Sequence, residues 1–168
     1  MIEGNPADLF SWSELVFRLG LAAVLGIALG FDREIRGHDA GIRTHALVAL
    51  SSAMIMVSSL MVFHEFRTED GGGPDPLRSI QGLSQAIGFI AAGMIFVRRG
   101  SVVNMTTAAN IWIAAAIGIA CGCGQYRLVL VGAAMALVLL VLVRAVERFT
   151  PPKIAERRAP GDADSTEG

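Results

Sequence analysis

Side chains able to do chemistry are concentrated in one short stretch, Asp32–His45, which reads DREIRGHDAGIRTH. Its carboxylates Asp32, Glu34 and Asp39 are the ligand type that Mg²⁺ takes, and Arg33, Arg36 and Arg43 are the type that pairs with carboxylates. Asp32 and Glu34 are two residues apart, which on a helix turns them about 200° from each other. They cannot hold one ion together unless the helix has ended. Asp39 shares a face with Asp32 only if the helix runs through Gly37, a residue suited to the position just past a helix end. Local ion pairing at i,i+4 spacing, Asp32 with Arg36, is therefore expected ahead of metal ligation. His38 and His45 fall at this connector and His64 at the far end of the next segment, so three histidines do not converge on one ion. Signatures of catalysis are absent: there is no H-E-x-x-H, G-x-S-x-G, P-loop or Gly-rich dinucleotide fingerprint. The chain is expected to be neither an enzyme nor a cofactor binder.

The elements that must position this stretch are apolar. The 168 residues are 53% hydrophobic with a mean hydropathy of +0.55, above the roughly 45–50% (glycine included) of soluble domains. Five segments are candidates to cross a bilayer: Leu15–Phe31, Ala46–Phe63, Ile80–Val97, Met105–Gly124 and Leu128–Val143. Several are short of the ~20 residues a span needs, unless flanking polar side chains extend them into the interface. The expected fold is an all-α membrane protein, a polytopic bundle of about five transmembrane helices, with four as the lower count. Residues 1–14 would be a periplasmic segment, 15–147 the transmembrane domain and 148–168 a disordered, Pro-rich cytoplasmic tail. The N-terminus lacks the basic start of a signal peptide, so the first segment is expected to be retained.

The basic residues test that count independently. Arg33, Arg36 and Arg43 lie between the first two spans, Arg98 and Arg99 between the third and fourth, and Arg144, Arg148, Lys153, Arg157 and Arg158 after the fifth. Only Arg67, Arg78 and Arg127 occupy the alternate loops. The positive-inside rule then puts the N-terminus outside and the C-terminus in the cytoplasm of the plasma membrane. A net charge of -1 gives no bulk attraction to nucleic acid. Arg18 falls inside the first apolar segment, one turn after Glu14; it is read either as an interfacial residue paired with that glutamate or as an intramembrane functional group. Small residues at helical spacing, Gly26/Gly30, Gly88/Ala92 with Gly93, and Gly118/Gly122, predict close helix packing and a possible homodimer face. Cys121 and Cys123 read as small packing residues, with a redox role as the lesser alternative. Thr44, and Asn104 or Thr106, are candidate caps of the second and fourth spans, and Asp75-Pro76 marks the start of the third.

This topology puts Asp32, Arg33, Glu34, Arg36, Asp39, Arg43 and Thr44 on the same membrane face as Arg98, Arg99, Asn104, Thr106 and Thr107. The second and fourth helices begin there, so their positive dipole ends meet the acidic cluster. The arrangement is either a functional site or a well-satisfied set of helix ends.

The run LGLAAVLGIALGFDREIRGHDAGIRTHALVALSSA resembles the MgtC/SapB family of bacterial inner-membrane proteins, with its Gly-rich helix, acidic-basic cluster and A-G-x-R-T-H. The block DPLRSIQGLSQAIGFIAAGMIFVRRGSVVNMTTAANIW resembles the family's D-P-x-R, G-I-G-F-x-G-A-G and G-L-T-T-A-A-x-x-W segments. Asp32 stands where Glu is usual, Ala86 and Ala91 replace glycines, and Asn104 replaces the glycine before Met105; Asn also tolerates positive φ. The resemblance adds Gly41 and Trp112 to the candidate cluster. It implies a membrane domain linked to growth at low magnesium and, in some members, to survival inside host cells. The implied role is regulatory, through binding of membrane partners such as the ATP synthase. Longer members carry a C-terminal ACT-like domain that the resemblance does not cover here.

Two functions of different classes follow. One is an accessory module that docks on other membrane proteins through small-residue faces and the connector. The other is a transporter or channel subunit for Mg²⁺ or another cation, which a weak parallel between F-D-R-E…R-T-H-A and F-V-R-R…T-T-A-A favours. The second needs acidic groups at midplane depth, and the apolar segments contain none.

Overall fold

The computed structural model describes residues 9–68, 73–98 and 101–149, without the side chains of 98, 101 and 143–149. Most of the expected N-terminal segment, Arg99 and the tail from 150 onward lie outside the described residues, as do the side chains of Arg98, Arg144 and Arg148.

Five helices form among the described residues, as the apolar pattern predicts: α1 (Trp12–Ile35), α2 (Ile42–Phe66), α3 (Leu77–Met94), α4 (Met105–Gly122) and α5 (Tyr126–Phe149). The helices are set mostly by local capping. Ser11 Oγ accepts from Glu14 N–H to start α1, and Gly37, at φ +67°, ends it, with Gly37 N–H on Glu34 O and His38 N–H on Arg33 O. Asp75 Oδ1 accepts from Leu77 N–H to start α3. Gly124, at φ +72°, closes α4 in the same way as Gly37 closes α1. Thr44 does not cap α2. The cap comes from Glu34, whose Oε2 accepts from Ile42 N–H at 3.0 Å, because the turn folds α1's last residues back over α2's first.

Helices α1, α2 and α5 outlast their apolar segments, since the polar flanks are helical too, and α4 ends at Gly122, two residues before its segment does. The third segment stops as a helix at Met94, and Phe96–Arg98 (β1) pairs antiparallel with Ser101–Val103 (β2). Val97, Val102 and Val103 on the two arms suit extended backbone better than a helix end. Helices α1, α2 and α4 are long and apolar enough to cross a membrane, and the apolar stretch Tyr126–Leu142 of α5 is slightly shorter. Helix α3 is not in that group, since Arg78, Ser79, Gln81, Ser84 and Gln85 dilute it.

Helix α2 sits in the middle, flanked by α1 and α4, which also touch each other. The seams are glycine against backbone. A Cβ on Gly26 would lie 2.6 Å from His45 O, one on Gly30 2.6 Å from Ile42 Cα, and one on Gly122 2.7 Å from Ala53 O; Gly118 is tighter still against Ala49 O. Alanines 22, 49, 53 and 114 fill the buried core between them, as close approach requires. Gly88 and Gly93 do otherwise: nothing lies within 4 Å of where their Cβ would be, so they make no packing contact within the described chain. They fall on α3, whose few contacts are to α4 and α2 along the Leu83–Ile87–Ala91 stripe.

Arg18 is buried within the bundle. It pairs with Glu14 as the spacing predicts and also donates from Nη1 to Gly122 O at 2.6 Å, placing its charge at the negative end of α4. Cys121 and Cys123 are both free.

Candidate functional site

The end of the bundle where α1 finishes and α2 and α4 begin gathers most of the connector's polar groups. Arg33, on α1's last full turn, is 4% exposed and donates from Nη2 to Thr107 Oγ1 at 2.5 Å. Asp39, in the connector, accepts from Asn104 Nδ2 at 2.9 Å. These two contacts, α1 to α4 and connector to hairpin end, put the D-R-E-I-R-G and N-M-T-T segments on one face. Asn104 holds φ +66°, a left-handed turn that leads β2 into α4. That is the conformation its replacement of a glycine tolerates.

Around this seam the other side chains have local work. Arg36 Nη2 pairs with Asp32 Oδ1 at 2.6 Å, the expected i,i+4 bridge. Glu34 caps α2 across Gly41, where a Cβ would meet the Glu34 carboxylate and displace it from the cap. Glu34 is thus fixed as a cap, pointing away from Asp32, and the two do not face one ion. His45 belongs to α2's first turn, not to the connector; it is fully buried, with Nδ1 on Gly41 O at 2.9 Å. No group of three or more His, Cys, Asp or Glu that could hold a metal occurs among the described residues.

Arg43 is exposed and Thr44 half-buried, and neither makes a hydrogen bond or ion pair among the described residues. Trp112 is 42% exposed, further along α4 and away from the cleft described next. The structure therefore bonds Arg33 to Thr107 and Asn104 to Asp39, pairs Asp32 with Arg36, assigns Glu34 and Gly41 to the turn, and leaves Arg43, Thr44 and Trp112 apart from them.

An open cleft of about 420 Å³ lies beside the seam, between α1, α4 and α5. Its polar side is Asp32, Arg33, Arg36, His38, Thr106 and Asn110; its apolar side includes Ile113, Ala136, Leu139 and Leu140. His38 and Asn110 were not expected here. The signal for Asn110 was its spacing, since Thr106, Asn110 and Ile113 fall at i, i+4 and i+7 on one face of α4. His38 lies beyond Gly37, where helical spacing no longer places a side chain.

Comparison with known proteins gives the family. The model of the MgtC family matches residues 19–149. A candidate magnesium transporter of Escherichia coli (strain K12), YhiD, is 42% identical over 128 residues, covering 76% of this chain and 60% of its own length. Protein SapB of Bacillus subtilis (strain 168) is 30% identical over 159 residues, 89% of this chain and 66% of its own. Protein MgtC of Brucella abortus (strain 2308) is 36% identical over 127 residues, 76% of this chain and 48% of its own. The chain thus spans about 60% of the length of the Escherichia coli relative and about half that of the Brucella one. No solved structure matches it. With most of its length matched by the family model and relatives at 30–42% identity, this helical membrane protein belongs to the MgtC family.

Proposed function

We propose that the protein is an accessory regulatory subunit of the bacterial inner membrane that acts by binding other membrane proteins, with a role in adaptation to low magnesium. The observation that carries the proposal is the closed interior of the bundle. Glycine-to-backbone seams join α1 to α2 and α2 to α4, and every Asp or Glu on a helix lies in a terminal turn (Glu14, Asp32, Glu34, Glu65, Glu147). A cation crossing such a bundle would meet no charged partner at midplane depth. What the protein does offer is surface: Arg43, exposed on α2's first turn and unpaired among the described residues, and α3 with Gly88 and Gly93 open to a neighbouring helix. Docking falls to the exposed residues at this end, Arg43 and Thr106, while buried Arg33 and Thr107 tie α1 to α4; the N-terminus is periplasmic and the connector cytoplasmic. The resemblance to the family favours the proton-translocating ATP synthase as partner, and the open face of α3 favours a homodimer.

Cation transport is the second reading, favoured by the name of the Escherichia coli relative. ATP hydrolysis by inverted membrane vesicles, with and without the protein, separates the two. Regulation predicts lower hydrolysis when the protein is present, restored by Arg43→Ala. Unchanged hydrolysis accompanied by magnesium accumulation would favour transport.

A further inference from the structure

The cleft between α1, α4 and α5 carries nearly enclosed polar groups that have no partner. Among the described residues, Asn110, 8% exposed, has no acceptor for its Nδ2, and Arg33, although its Nη2 reaches Thr107, has none for its Nε. His38 Nδ1, on the same wall, is also unpartnered. Arg33 Nε and Asn110 Nδ2 are donors, and buried donors left without acceptors are rare and costly, so they suit a ligand that brings acceptors, beside an Asp32 carboxylate whose Oδ2 is also enclosed. Charge narrows the choice. Two guanidinium groups, Arg33 and Arg36, stand beside one carboxylate, Asp32, and that carboxylate is already engaged by Arg36. Among the described residues the surplus is positive, which disfavours a metal ion and favours an anion.

The opposite wall is apolar, and the apolar surface continues. A second cleft of about 400 Å³ lies along the same pair of helices, lined by Phe17, Leu21 and Leu25 of α1 and Val129, Ala133 and Leu137 of α5, with almost no polar surface. Ala136 of the first cleft and Leu137 of the second are consecutive residues, and α1 and α5 scarcely touch each other. The seam between these two helices is therefore a long apolar trough that ends in a cationic, donor-rich recess. A free phosphate ion would use only the recess and leave the trough unexplained.

We propose that this seam binds one anionic phospholipid, its phosphate held by Arg33, Arg36 and Asn110 and an acyl chain lying between α1 and α5. The site stands whether the protein regulates a partner or moves an ion. The test is native mass spectrometry of the full chain in a mild detergent, titrated separately with phosphatidylglycerol, phosphatidylcholine of the same acyl chains, and inorganic phosphate. One phosphatidylglycerol should be retained in preference to phosphatidylcholine by roughly tenfold, the scale of one charge-assisted hydrogen bond. Arg36→Gln should remove most of that preference. Ala109→Trp, from an exposed position on the cleft wall, should abolish retention without disturbing the core, and it decides the matter if Arg36→Gln does not fold. Equal retention of the two lipids, or retention unaffected by Ala109→Trp, would mean a general lipid coat and overturn the proposal. Inorganic phosphate competing the lipid off at comparable concentration would assign the recess to a soluble anion and overturn it as well.

Discussion

Replacing Gly26 by alanine should loosen the bundle, whereas the same change at Gly88 should not. A Cβ on Gly26 would sit 2.6 Å from His45 O and 2.7 Å from Ala46 Cα, roughly 0.8 Å inside the 3.4 Å at which ordinary contact begins. Both atoms are backbone of α2, so no side chain can swing aside; α1 and α2 must part. Overpacking of this kind costs about 1–3 kcal/mol, and a rigid neighbour puts Gly26→Ala toward the upper end. Alanine's better helix propensity returns up to about 1 kcal/mol, leaving a net loss of about 1–2 kcal/mol. At Gly88 nothing lies within 4 Å, so only the propensity gain remains, up to about 1 kcal/mol of stabilisation. The two variants should differ by about 2–3 kcal/mol, or roughly 5–10 °C in melting temperature for a chain of this size. Thermal unfolding of the purified protein in detergent, followed by circular dichroism, measures the difference. Equal melting temperatures would refute the assignment of the α1/α2 seam. A Gly88→Ala variant that is strongly destabilised would instead show that α3 packs against another chain.

Other expectations follow from single contacts. Gly41→Ala should cost about 1 kcal/mol by displacing the Glu34 cap, and Glu34→Ala should make the second change nearly neutral, a coupling readable in a double-mutant cycle. Asn104→Gly should leave stability within about 1 kcal/mol of the parent, since it keeps the left-handed turn and loses only the bond to Asp39, whereas Asn104→Val should lose about 1–3 kcal/mol in the same melting assay. Arg43→Ala should remove the low-magnesium growth phenotype while protein abundance in the membrane is unchanged; a parallel fall in abundance would make Arg43 structural. For orientation, His38→Cys in a background lacking Cys121 and Cys123 should resist impermeant thiol reagents applied outside intact cells. Rapid labelling there would reverse the topology.

The sequence made the helix count legible because apolar runs and arginine-bearing connectors alternate, and it made the shared face of Asp32, Arg33 and Thr107 legible because α2 and α4 had to start on the same side. Gly37 and Asn104 were readable as turns for a local reason, positive φ, which neighbouring residues alone can demand. What spacing could not say was which arginine would be buried. Arg33 points to Thr107 and Arg43 to the surface because of the rotation of α1 on α2, which is fixed by Gly26 and Gly30 at a distance. The role of Glu34 was hidden similarly, since its partner, the N–H of Ile42, lies eight residues on across a turn. The β1–β2 hairpin was absorbed into a span because Phe96 and Val97 are apolar, although their β-branched partners favour extended backbone. The outward-facing glycines of α3 look identical in sequence to the packed glycines of α1 and α4.

Magnesium flux across a sealed bilayer tests the central claim most directly. Full-length protein reconstituted into liposomes that enclose a Mg²⁺-sensitive dye should admit no more Mg²⁺ than protein-free vesicles at any imposed gradient or potential. Saturable entry that Asp32→Ala abolishes would contradict the account and make the protein a carrier.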